Sequence, residues 1–167
     1  MYKTGDTVIH PGVGVCRIEK ITEESFGGGE KRKYYVLKTL YDSTNTVIHI
    51  PVDGGKVKLR RLLDSNDIKD IIHTVSVKEP LWVEGSAERR ELFSSILKEG
   101  DQGKILQMIC EIHLKQAERE RTGKKIYVSD SKILSAAEKL IHQEFAHTLD
   151  IAPDKVAEFI IEELRIG

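Results

Sequence analysis

Cysteine, tryptophan and proline are all scarce in this 167-residue chain: two cysteines, one tryptophan and four prolines. Cys16 and Cys110 lie far apart, with no spacing that suggests a disulfide framework, so reduced thiols are expected. No apolar run approaches the roughly 18 residues a membrane helix needs, and no charged-then-apolar leader opens the chain. A cytoplasmic protein without a membrane partner is the expectation. A strong charge of one sign is missing too. The net charge is −1, where a dedicated nucleic-acid domain would be markedly basic.

That near-neutrality hides a split. Residues 1–61 hold 11 basic and 7 acidic residues, and the remainder holds 15 against 20. Within the second part, residues 89–142 return to a small positive balance, with 11 basic and 8 acidic. Any contact with nucleic acid must therefore be local.

The first sixty residues alternate in period two. Thr7–His10, Gly14–Ile21, Tyr34–Thr39, Thr46–Ile50 and a shorter Val57–Arg60 are rich in β-branched and aromatic residues. Gly and Pro turns separate them, with a flexible Gly27-Gly28-Gly29 tip. Five short strands in this span predict a small SH3- or Tudor-like barrel over residues 1–62. After Arg61 the period becomes 3.6. A short helix begins at Asp64 or Ser65 within a linker, 63–80, that includes an extended Val75-Ser76-Val77. An all-α domain follows over 81–167. Its helices are capped by Ser86, by Asp101 and by Ser129 or Asp130, and the last is opened by Pro153. The fold class is thus α+β in two domains.

The usual chemical motifs are wanting. Gly12-Val13-Gly14 and Gly27-Gly28-Gly29 open no helix and precede no Lys-Ser/Thr pair, so they read as turns and not phosphate loops. His10 with Cys16, or Cys110 with His113, supplies two ligands each, whereas structural zinc takes about four. His142 and His147 are five apart and lie on different helical faces. No Ser or Cys is tied by a local motif to a base and an orienting acid. The expectation is a non-enzyme with no cofactor, no metal and no small-molecule substrate.

Two regions suggest binding. Val47, Ile48, His49 and Ile50 form a strand more apolar than one solvent-facing strand needs, suited to a buried position or to pairing with a partner's sheet. Trp82 lies between the two periodic regions. It reads either as a packing anchor or as an aromatic that stacks on or wedges against a base. Arg89 and Arg90 follow it, and Lys124 and Lys125 form a second basic spot; both are suited to phosphates.

The order Gly5-Asp6-x-Val8-Ile9-x-Pro11-Gly12-x-Gly14, Tyr34-Tyr35-Val36-Leu37, Ile50-Pro51-Val52-Asp53 and Leu59-Arg60 resembles the CarD/CdnL family of bacterial transcription regulators. The same stretch is similar to the RNA-polymerase-interacting module of the transcription-repair coupling factor. Trp82, Arg89-Arg90, Gly100-Asp101, Gly123-Lys124-Lys125, Asp130, Ala137-Glu138-Lys139-Leu140 and Glu144-Phe145-Ala146 resemble the family's helical domain. The resemblance implies a barrel that binds the β subunit of RNA polymerase and a helical domain that holds promoter DNA at the melted bubble. It implies a tryptophan wedge that stabilises the open complex, and a cytoplasmic location on the nucleoid through polymerase. The chain departs from the family pattern in two ways. Ser86 stands at the family's wedge spacing, and Glu24 and His49 align with arginines that contact polymerase. A rival expectation is a protein–protein adaptor with a Tudor-like barrel and no DNA contact.

Overall fold

The computed structural model describes residues 1–166. They divide into two compact units, residues 1–62 and 63–166.

The first unit is an antiparallel sheet of four strands in the order β1-β2-β3-β4: β1 Thr7–His10, β2 Gly14–Glu24, β3 Arg32–Thr39 and β4 Val47–Pro51. The Pro11-Gly12 turn is closed by the Val13 amide donating to the His10 carbonyl at 3.0 Å. Gly14, at φ 103°, adopts a backbone conformation that a side chain would strain. One face carries the core: Val8, Cys16, Ile18, Tyr35, Leu37 and Ile50, with Tyr2, Ile48, Val57 and Leu59 packed at its margin. The register of β2 on β3 shifts between Ile18 and Lys20. This bulge lets β2 continue past the core as an exposed ribbon.

The expected fifth strand is not a ladder. Only Arg60 bridges β1, through Ile9 N to Arg60 O at 2.8 Å and Arg60 N to Ile9 O at 3.2 Å. Val57 and Leu59 alternate inward as a strand would. The Leu59 carbonyl, however, accepts from the Tyr2 hydroxyl at 3.2 Å instead of extending the pairing. The segment after β4 thus returns to the outer edge of β1, while no strand among the described residues lies beside the outer edge of β4.

The second unit contains five α-helices among the described residues: α1 Ser65–Thr74, α2 Ser86–Glu99, α3 Gln102–Arg121, α4 Val128–Leu149 and α5 Val156–Ile166. Asp64 and Asp101 cap α1 and α3, accepting from the amides of Asp67 and Lys104 at 2.9 Å each. Gly100 ends α2 in the left-handed conformation at φ 79°. Five consecutive residues of α3, Ile105–Ile109, are all buried, which makes it the central helix.

The segment 63–80 is not a linker. Ile68, Ile72 and Val75 are part of the helical core beside Phe93, Ile112 and Phe145. The Leu63 amide donates to Glu144 Oε1 at 3.0 Å, and the Thr148 hydroxyl donates to the Leu63 carbonyl at 2.8 Å. Val75–Val77, expected extended, is a 3-10 turn because Val75 is drawn into that core. Two caps also differ. α2 is preceded by Gly85 and α4 by Tyr127, neither with a side-chain cap. Asp130 is engaged elsewhere.

Candidate functional site

The four residues expected on β4 divide by the pleat. Val47 (56% exposed) and His49 point outward, whereas Ile48 is half-buried and Ile50 is buried in the core. Ile48 and Ile50 therefore hold β4 in place and do not form its outer surface. Backbone parity follows from the same ladder. Val52 N donates to Lys33 O at 2.9 Å, and the register pairs Ile50 with Tyr35 and Ile48 with Leu37. Residues 48 and 50 consequently aim their backbone groups at β3, and residues 47 and 49 aim theirs at the open edge. Val47 and His49 thus present both backbone and side chain to a partner.

Around them lies a depression of about 440 Å³ lined by Glu19, Lys20, Lys38, Asn45, Val47 and His49, among others. His49 sits 3.8 Å from the Glu24 carboxylate, and the exposed Phe26 ring lies edge-on to both Tyr34 and His49 at 5.0 and 5.6 Å. Glu24 and His49 thus face each other as a weak, partly exposed pair.

In the helical unit, the segment before α2 is strapped down by side chains. The Leu81 amide donates to Glu111 Oε1 at 2.8 Å, and Gln107 Nε2 donates to the Glu79 carbonyl at 2.6 Å. Trp82, so positioned, is half-buried against the helical core, edge-on to Phe93 at 6.1 Å. Its indole nitrogen is buried without a hydrogen-bond partner. The Arg89 guanidinium lies over the ring at 4.3 Å, and Lys115 Nζ lies 5.6 Å from the ring centroid.

Arg89 is not a surface cation. It is 1% exposed and is held by Asp130, itself 1% exposed, and by the carbonyls of Val83 at 2.9 Å and Glu84 at 3.2 Å. The expectation that it meets phosphate gives way to a structural role, because the side chain is buried and four of its five N–H donors are already used inside the unit. Arg90, Lys124 and Lys125 do stand exposed. Sequence reasoning named Asp130 only as a cap and a family-pattern residue, and it missed Glu111 and Tyr127. Only Tyr127 left a readable trace, as an aromatic two residues after the Lys124-Lys125 pair.

Neither thiol is activated. Burial pushes the Cys16 thiol up to about 11, and burial, helped by Glu111, also raises Cys110. No cluster of three or more His, Cys, Asp or Glu residues suited to a metal occurs among the described residues. No helix among them is long and apolar enough to cross a membrane.

Comparison of the chain with curated proteins returns no match. Comparison with protein families does: residues 2–63 match the CarD-like/TRCF RID domain. The match covers the whole four-stranded sheet together with the segment that returns to β1. The N-terminal unit of this chain therefore belongs to the CarD-like/TRCF RID family of RNA-polymerase-interacting domains.

Proposed function

We propose that this chain is a transcription regulator of the CarD type and not an enzyme. Its RID unit holds the β subunit of RNA polymerase through the open edge of β4, and its helical unit holds promoter DNA, stabilising the open complex. One observation carries this reading: an edge strand whose outward residues, Val47 and His49, present exposed side chains and edge-facing backbone groups together. A partner strand added there gains main-chain hydrogen bonds, and alternate side chains give selectivity. Arg90, Lys124 and Lys125 are the cations of the expected DNA set that remain on the surface.

The net charge of −1 gives little affinity for free duplex. Tethering by polymerase supplies it instead, by raising the local concentration of the helical unit beside the promoter. The same charge is the observation that favours the adaptor reading, in which the helical unit meets only protein.

Binding of the full chain to core polymerase tests the first contact. Val47→Asp combined with His49→Glu weakens it at least tenfold while the circular dichroism stays native. Open-complex lifetime tests the second. Replacing Arg90, Lys124 and Lys125 by alanine shortens it and flattens its salt dependence. An unchanged lifetime with polymerase binding intact leaves the adaptor reading standing alone.

A further inference from the structure

We propose that Tyr127, lying against Arg119 and flanked by Lys124 and Lys125, is a nucleic-acid stacking site of the helical unit that takes an unpaired base of DNA. The proposal rests on the DNA-contacting reading above and names the residue on which that contact turns.

The aromatic residues of this unit fall into two groups. Phe93 and Phe145 are fully buried, and Trp82 and Phe159 are packed against the core. Tyr127 is 49% exposed. Trp82 has its ring against Arg89, Lys115 and Phe93 and its nitrogen buried, so delivering it to a base would dismantle local packing. Delivering Tyr127 requires no such rearrangement.

Its placement is fixed by the loop between α3 and α4. Arg119 Nε donates to the Lys125 carbonyl at 2.7 Å, and the Lys124 amide donates to the Arg119 carbonyl at 2.8 Å. Gly123 turns the chain at φ 73°. The Arg119 guanidinium then lies over the Tyr127 ring at 4.6 Å, with Arg89 5.5 Å from the same ring. Arg89 is itself immobilised by Asp130. The tyrosine is therefore preorganised, which lowers the entropy lost when a base stacks on it.

The surroundings select the ligand. Residues 119–127 contain four cations, Arg119, Arg121, Lys124 and Lys125, against the single carboxylate of Glu120. Arg121, Lys124 and Lys125 are exposed. An aromatic platform bordered by lysines suits a base with its adjoining phosphates. An acidic peptide would use the cations but gain little from the ring.

Fluorescence anisotropy of the full chain at low salt tests this, with labelled fork-junction DNA carrying an unpaired overhang and with the fully paired duplex of the same sequence. Tyr127→Ala is expected to weaken fork binding about tenfold and duplex binding little. Tyr127→Phe retains the fork preference and Tyr127→Leu loses it. Lys124→Ala with Lys125→Ala weakens both DNAs and lowers the salt slope by about two. If Tyr127→Ala binds the fork like the parent while the lysine variant is impaired, the tyrosine proposal is overturned and DNA contact stands. If the unmodified chain binds neither DNA, with or without core polymerase to tether it, but captures a polyglutamate peptide, both fail. A loss of fork binding that merely follows a lower melting temperature of Tyr127→Ala also overturns the proposal.

Discussion

Arg89 and Asp130, 41 residues apart in sequence, meet through two parallel hydrogen bonds, Nε to Oδ1 at 3.0 Å and Nη2 to Oδ2 at 2.7 Å, with both side chains 1% exposed. This fork-to-fork pair joins the first turn of α2 to that of α4 and holds the guanidinium 4.3 Å from the Trp82 ring centroid and 5.5 Å from that of Tyr127. Removing one partner strands a buried charge. Arg89→Ala or Asp130→Ala is expected to cost about 3–5 kcal/mol in urea unfolding. Arg89→Met with Asp130→Leu costs less than either single change summed with the other, because no charge is left behind. A single variant within about 0.5 kcal/mol of the parent would show that the pair is dispensable.

Trp82→Ala is expected to destabilise the helical unit by about 2 kcal/mol, below the full-burial figure because the ring is only half-buried. Polymerase binding should be untouched, since the RID unit has its own core. Thermal unfolding followed beside open-complex lifetime separates packing from contact. A variant with native melting and a shortened lifetime assigns Trp82 to the DNA.

The thiols should be slow to react. With Cys16 raised to about 11 by burial, roughly a thousandth of it is thiolate at pH 8. Native protein treated with a disulfide reagent should label only over hours, and at once when unfolded. Rapid labelling of both cysteines in the native state contradicts the burial described.

His142 carries a pH dependence. Burial lowers its pKa; Glu138 works against that and His113 with it. Because the folded value lies below the unfolded one, the stability linked to neutral His142 is fully present above about 6.5 and is lost as pH falls through the folded value. His10, also lowered by burial, adds in the same sense. Between pH 7.5 and 5.5 the parent should lose more unfolding free energy than His142→Asn. Parallel loss in the two proteins rules His142 out as a source of the slope.

Much of this was legible in the chain. Period-two alternation placed the four strands to within a few residues, and Asp64 and Asp101 announced their helix starts because capping is a local, short-range interaction. The linker reading of 63–80 failed because Ile68, Ile72 and Val75 find their partners on distant helices. Arg89 was misread for the same reason. An arginine beside Arg90 resembles a surface cation until Asp130 arrives from α4. The split of β4 was implicit in its alternation, but the direction of its backbone groups depends on the ladder with β3.

The account turns on the open edge of β4, and a single proline tests it. At His49 a proline removes one outward amide donor and none of those bonded to β3, a change an edge strand tolerates. The affinity of the His49→Pro variant of this chain for core RNA polymerase is therefore the most direct measurement, taken beside its melting curve. The edge-pairing account predicts native melting with binding at least tenfold weaker. Native melting with unchanged affinity contradicts it and places the polymerase contact elsewhere on the RID unit.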